Sequence, residues 1–339
     1  MPRRLALLLV LFLGACGPSG GLEPLTDSRL PPGVSTLAFP PRGWAWGLVQ
    51  VGDLPPQRYG VSSPRTAPTA HILILPGYGE SAEAWFETAA DLNRRGYAAW
   101  VLDGAGQGGS GRFAQPRDVG HLPSIEADLA GVKAMVRTVI PQDGAPVIVL
   151  GQQSGGMLAV LAASRDLGGD GVIISGPWPA PSPGAVEQAM SRVGLGWLRD
   201  PRLPAWSREV PYRTGPVGGS VRRSGVQQAW QLANPDLRLG GPSIGRTVVE
   251  AGARSDALTA LPGLQTPVLL IGAETPVATA CARNTACRAA PRPPGARGPY
   301  FHLDADGPRG AWLAQVDGFV RERRSIAPSA QAPAPAHGE

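Results

Sequence analysis

The stretch Val147-Ile148-Val149-Leu150-Gly151-Gln152-Gln153-Ser154-Gly155-Gly156-Met157-Leu158 decides the fold. Four apolar residues without a polar break predict a strand buried on both faces of a sheet. A serine follows on a sharp turn, and a helix then opens on two glycines. This shape lifts a serine hydroxyl above the sheet edge, and small neighbours let the strand and helix backbones approach each other. Ser154 is therefore the candidate nucleophile. The pattern departs from G-x-S-x-G at its first glycine, where Gln152 stands, and keeps the second as Gly156. The plainer alternative is a serine in an ordinary strand-to-helix loop of a doubly wound sheet.

Working outward, apolar runs alternate with helical patterns. Strands are expected at 71–75, 98–102, 146–150 and 171–174, with helices near 81–95, 123–139 and 155–166 between and after them. Such alternation predicts a mostly parallel sheet covered by helices on both faces. Residues 44–51 and 57–61 precede the series with no helix between them and predict an antiparallel hairpin at the sheet edge. Residues of about 177–262, with many prolines and little strand pattern, are expected to form an inserted cap. The sheet resumes at 266–271, a weaker strand is expected at 299–303, and a helix at 310–323 ends the core.

Composition bounds the alternatives. With 43% hydrophobic and 17% charged residues, a disordered chain is excluded. The one long apolar run lies at the N-terminus, which excludes a multi-span membrane protein. A net charge of +5, spread along the chain, gives no basis for nucleic-acid binding. Arg3 and Arg4, the apolar run 5–13 and the small residues Gly14 and Ala15 have the anatomy of a signal peptide over 1–15. Residues 13–16, Leu-Gly-Ala-Cys, resemble a bacterial lipobox, which implies that Cys16 is lipidated and that the protein sits in the cell envelope. With Gly17 after the cysteine, the resemblance implies the outer membrane, facing the periplasm, if the cell is Gram-negative. Plain secretion is the alternative. Residues 16–36 are expected to be a flexible tether, 37–324 the folded domain, and 325–339 a disordered Ala-Pro tail. Cys281 and Cys287 would meet an oxidising compartment and are the expected disulfide, with two unpaired thiols as the alternative. Two thiols with no histidine nearby in sequence do not make a zinc site.

Residues 75–80 (Leu-Pro-Gly-Tyr-Gly-Glu), 86–92, 95–97 (Arg-Gly-Tyr), 103–112, Gly120-His121 and Ser154-Gly155-Gly156 form an ordered set. Together they resemble the lysophospholipase and monoacylglycerol-lipase branch of the α/β-hydrolases over residues of about 70–325. The resemblance implies an α/β-hydrolase fold with a cap, ester hydrolysis through an acyl-enzyme, a lipid or small ester substrate, and no cofactor. In such an enzyme the backbone N–H groups of Tyr78 and Gly155 are the expected oxyanion donors. Gly104-Ala105-Gly106-Gln107-Gly108-Gly109 also satisfies G-x-G-x-x-G, but no helix pattern follows it, so it is expected to be a tight turn, not a cofactor cradle.

A serine needs a base, and the fold's chain order is Ser, acid, His. Among four histidines, His71 opens a strand before the serine, His121 matches a family position outside the triad, and His337 lies in the tail; His302 remains. The resemblance implies an acid in a Gly-Ala-Asp-like turn after the strand at 266–271, where Gly272-Ala273-Glu274 stands, so Glu274 is the match, with Asp304 or Asp306 as alternatives, while Glu80 and Asp103 are further carboxylates near the site motifs. Asp103 is expected to cap the glycine turn. The cap tryptophans Trp178, Trp197, Trp206 and Trp230 are candidates to line an acyl pocket, with plain burial the alternative for each. Three rival readings remain open: a proline-iminopeptidase-like peptidase, disfavoured by the Arg-rich cap; acyl transfer to an alcohol; and a catalytically degenerate hydrolase acting as an envelope binding or scaffold protein.

Overall fold

A computed structural model describes residues 22–209 and 218–326. Eight strands form one sheet: β1 (Ala45–Val49), β2 (Gln57–Ser62), β3 (His71–Leu75), β4 (Ala98–Leu102), β5 (Val147–Gln152), β6 (Gly171–Ser175), β7 (Val268–Ile271) and β8 (Cys287–Ala290). Their order is β1-β2-β4-β3-β5-β6-β7-β8. β2 runs antiparallel to β1 and to β4, and the remaining pairs are parallel. α1 (Phe86–Arg94), α2 (Ile125–Ala134) and α3 (Ser154–Ala163) make the first crossovers. An insertion after β6 carries α4 (Ala185–Arg192), α5 (Val221–Ser224), α6 (Val226–Ala233) and α7 (Ile244–Ala260), and α8 (Thr275–Ala282) and α9 (Asp306–Ile326) complete the chain. This is the α/β-hydrolase architecture.

The continuous apolar strands serve two cores at once, because alternate side chains point to opposite faces. Leu73, Leu75, Val147 and Val149 pack with α3 and the second half of α7, while Ile72, Ile74, Ile148 and Leu150 pack with Trp85, Trp312 and Phe319. Every residue of α3 is buried, which rigidly fixes the turn that carries Ser154.

Three sequence expectations give way to tertiary packing. No strand forms at 299–303: Phe301–Leu303 is a single 3-10 turn, and the last strand is β8. Pro299 cannot donate to a ladder, and the three residues of the turn are all buried, so no one face is free to lie against the sheet edge. The cap, expected over 177–262, ends earlier, since Ala253 and Ala257 of α7 lie in the main core. The expected tether is docked over its described part: Leu25 N–H donates to Gly109 O at 2.8 Å, Leu22 O accepts from Arg112 N–H at 2.8 Å, and the Asn234 amide clasps the backbone of Arg29. Residues 1–21, with the expected signal peptide and Cys16, lie outside the described residues, as does 327–339 of the expected tail. No described helix is long and apolar enough to cross a membrane.

Cys281 and Cys287 are joined in a disulfide that ties α8 to β8 across six positions. Replacing both by alanine is expected to lower stability by about 2 kcal/mol through the loop-closure entropy released in the unfolded chain. The melting temperature should fall by about 5 °C, and a thermal scan of the double variant checks it.

Candidate active site

The turn between β5 and α3 stores strain at one residue. Gln153 has φ of 48° and ψ of −111°, a conformation that costs a non-glycine residue about 1–3 kcal/mol. It survives because both flanking elements are buried. Gly155 has to be glycine for a different reason: a Cβ there would lie 2.0 Å from Leu75 O, so any side chain would push α3 off β3.

Ser154 thus meets the loop after β3. The Tyr78 N–H donates to Ser154 Oγ at 2.9 Å, the Gly77 N–H to Glu80 Oε2 at 2.9 Å, and the Gly79 N–H to Gln107 Oε1 at 3.3 Å. Successive amides are therefore oriented by three separate acceptors. The Gly155 N–H, in the first turn of α3, belongs to the donors that a helix start leaves unpaired. Of the two expected oxyanion donors, the Tyr78 amide is thus in contact with Ser154 Oγ, and the Gly155 amide follows Ser154 directly in the first turn of α3.

His302 sits on the 3-10 turn before α9, 1% exposed, its ring stacked on Trp85 with centroids 3.8 Å apart and planes 9° from parallel. Its Nε2 lies 3.0 Å from Glu80 Oε1. The contact is an ion-pair distance without hydrogen-bond alignment, since neither atom has a hydrogen-bond partner. Nδ1 is likewise buried without a partner, and no hydrogen bond joins His302 to Ser154. The turn is held from two sides: Gln152 Nε2 donates to Pro299 O at 2.8 Å, and Arg309 Nε donates to His302 O at 2.9 Å. This explains the departure from glycine at 152, because the side chain there anchors the backbone that presents His302. Gln152→Ala should loosen that segment by one buried hydrogen bond, about 1 kcal/mol, and lower kcat by about three- to tenfold with little change in KM. Steady-state kinetics on a soluble ester check it.

The expected pair of Glu274 with His302 is not formed. Glu274 Oε1 accepts from Arg254 Nη1 at 2.8 Å, and Oε2 from the Trp178 N–H at 3.0 Å. The guanidinium of α7 competes for this carboxylate, and sequence spacing holds no trace of it. Asp304 is equally committed, accepting from the backbone N–H groups of Gly219, Arg297 and Ala305, and Asp306 pairs with Arg223. Glu80 is the carboxylate that sequence reasoning left without a role. Its position three residues after Gly77, where it can turn back on the loop's own amide, was the available signal.

The other weighed residues are structural. Asp103 accepts from Gly109 N–H at 2.8 Å and from Arg58 Nε at 2.9 Å. A Cβ on Gly109 would lie 2.0 Å from Arg58 Nε, so the glycine run is a turn packed around a buried arginine. His121 bonds Ser243 Oγ at 2.8 Å, and burial, helped by nearby Arg246, lowers its pKa. Of the cap tryptophans, Trp178 lines a groove beside Tyr78, Trp230 is buried against Phe86, Trp206 bonds Gln231, and Trp197 is exposed. Among the described residues, no group of three or more His, Cys, Asp or Glu is placed to hold a metal ion.

Comparison with known proteins bears on the family and the fold. The family model Hydrolase_4, described as serine aminopeptidase, S33, matches residues 66–291. Lysophospholipase L2 of Escherichia coli is 27% identical over 224 residues, covering 60% of this chain and 62% of that protein; the match leaves more than a third of the relative unaccounted for. Among solved structures, a monoglyceride lipase from Saccharomyces cerevisiae superposes with a TM-score of 0.62 at 11% identity, covering 90% of this chain and 99% of the lipase. A carboxyl esterase from Bacillus coagulans gives 0.64 at 14% identity, covering 83% of this chain and 99% of the esterase. At such identities the superpositions speak for the fold alone.

Proposed function

This chain belongs to the Hydrolase_4 (serine aminopeptidase, S33) family of hydrolases, and we propose that it is a serine hydrolase of carboxylic esters. The observation that carries the reading is the Tyr78 N–H at 2.9 Å from Ser154 Oγ on a strained turn. In the tetrahedral intermediate Oγ is bonded to carbon and the negative charge sits on the former carbonyl oxygen, so in the proposed cycle this amide turns from Oγ to that neighbouring oxygen when substrate is bound. In that cycle Ser154 attacks the ester carbonyl, and His302 Nδ1, the ring nitrogen not facing Glu80, takes the hydroxyl proton once the ring comes within reach of it. The Tyr78 and Gly155 N–H groups receive the oxyanion, and the proton passes to the leaving alcohol. Water then repeats the sequence on the acyl-enzyme. Glu80, in place of Glu274, holds the imidazolium. Preorganised amides of this kind contribute roughly 10²- to 10³-fold each.

The named relatives support lysophospholipids or monoacylglycerols as the substrate class to test first, and lipidation at Cys16 in the cell envelope would put both within reach. The peptidase alternative, raised by the family's description, needs a free carboxylate to hold a substrate amine. Glu250 lines the cavity beside Ser154, and its charge is already taken by Arg246 at 2.8 Å. The missing hydrogen bond between His302 and Ser154 favours one second reading, a non-catalytic binding protein. Labelling by a fluorophosphonate probe separates the two, followed by assays on lysophosphatidylcholine, a monoacylglycerol and an aminoacyl anilide. Labelling with ester turnover supports the proposal; a folded protein that neither labels nor turns over any ester overturns it in favour of the binding reading.

A further inference from the structure

Behind Ser154 lies a small cavity whose walls disagree in polarity. One side is apolar, with Leu75, Leu102, Leu122, Met157 and Leu158; the other is formed by Gln107, Asp128, Arg246 and Glu250. All four polar side chains are buried, between 2% and 6% exposed. Burying charge beside a reactive serine is expensive unless each group is paired, and here the pairing is only partial. Arg246 Nε donates to Glu250 Oε1 at 2.8 Å and Arg246 Nη1 to Ala105 O at 3.3 Å, with the guanidinium 4.7 Å from the centre of the Tyr78 ring. Asp128 Oδ1 accepts from the Ala105 N–H at 2.6 Å, and burial raises its pKa. The hydrogen bonds of this pair run through Arg246 Nε and Nη1 and Glu250 Oε1, and both residues line the cavity, so Arg246 Nη2 as donor and Glu250 Oε2 as acceptor remain for a ligand.

Resting on the ester-hydrolase reading, we propose that this cavity is a specificity subsite for a short, uncharged, hydroxylated segment of the substrate, read by Arg246 as donor and Glu250 as acceptor. The size sets the length: the cavity volume is about 20 Å³, on a scale where one water needs roughly 10–15 Å³. Charge sets the neutrality. Arg246 and Glu250 are paired with each other and Asp128 stands on the same wall, so an added anion would meet two carboxyl groups and an added cation would have to compete with Arg246 for them, whereas a hydroxyl donates to Glu250 and accepts from Arg246. An alkyl group of the same size leaves both unpaired. A longer chain is directed instead into the wider groove on the outer side of Tyr78 and Glu250, lined by Trp178, Pro181, Leu203 and Pro242.

The hydroxyl can reside on the acyl or on the alcohol part of the ester, and two substrate pairs distinguish these sources. Ethyl 3-hydroxybutyrate against ethyl butyrate reads the acyl side, and monobutyrylglycerol against ethyl butyrate reads the alcohol side. The purified protein is expected to show kcat/KM about tenfold to hundredfold higher for the hydroxylated member of one pair, the range for hydrogen bonds to charged groups. In Arg246→Met/Glu250→Met, which replaces the ion pair by apolar groups of similar volume, that ratio should fall towards one; thermal unfolding monitors its folding, and the unsubstituted protein decides the matter if the variant does not fold. Fluorophosphonate labelling with no hydroxyl preference in either pair, or with a preference for octanoate esters over both, overturns the subsite and leaves the esterase reading standing. A folded protein with neither labelling nor turnover overturns both.

Discussion

Ser154→Ala is expected to lower kcat for any ester substrate by on the order of 10⁶-fold and to abolish fluorophosphonate labelling, with thermal stability within about 1 kcal/mol of the parent protein. The residual rate would come from the amides of Tyr78 and Gly155, which still meet a bound carbonyl. Removing one hydroxyl from the first turn of α3 takes away only the bond to the Tyr78 N–H, and alanine favours helix, so loss of activity would not reflect loss of fold. His302→Ala should cost nearly as much, because nucleophile and base act as a unit and their losses do not add. A Ser154→Ala protein that keeps its ester turnover would remove Ser154 from the mechanism and with it the reading of the turn.

The second large effect separates two carboxylates. Glu80→Gln is expected to reduce kcat by about 10³- to 10⁴-fold, and Glu274→Gln by less than tenfold. A glutamine at 80 can still accept from the Gly77 N–H, so the loop keeps its shape. Its amide, however, donates towards His302 Nε2, 3.0 Å from the present carboxylate oxygen. That favours the tautomer with the proton on Nδ1, which cannot act as base, and no negative charge remains to hold an imidazolium; a wrong tautomer of this kind costs about 10⁴-fold elsewhere. At 274 the glutamine still accepts from the Trp178 N–H, and what is lost is a partly exposed pair with Arg254. Stopped-time assays at high enzyme concentration measure both. If the order of the two effects is reversed, the ring must swing to Glu274 during turnover, and the Glu80 contact belongs to the resting protein alone.

How far sequence carried the reading differs from one part of the molecule to the next. The strands that flank Ser154 are apolar throughout, and an uninterrupted buried run has one reading once helices alternate with it. The edge hairpin of β1 and β2 was legible because no helix pattern separates the two runs. By contrast, the strand expected at 299–303 does not form, because Gln152, distant in sequence, holds Pro299 O and Arg309 holds His302 O, which fixes the segment as a turn. The segment 22–29 read as a tether on composition and is docked, because its backbone amides and carbonyls find partners at Gly109, Arg112 and Asn234.

The mostly parallel sheet, the turn that carries Ser154 and the loop that carries the Tyr78 amide could be read without coordinates, since each is encoded in a run of consecutive residues, while His302 was reached only by elimination among four histidines. Only the tertiary structure decided which carboxylate stands beside His302 and what lines the cavity behind Ser154. Glu274 was a match by position along the chain, but Arg254 on α7 holds it, and Glu80 reaches the ring because its loop folds back on Gly77. Long-range charge pairing is settled by which groups arrive together in a space without water, and a linear spacing carries no record of that.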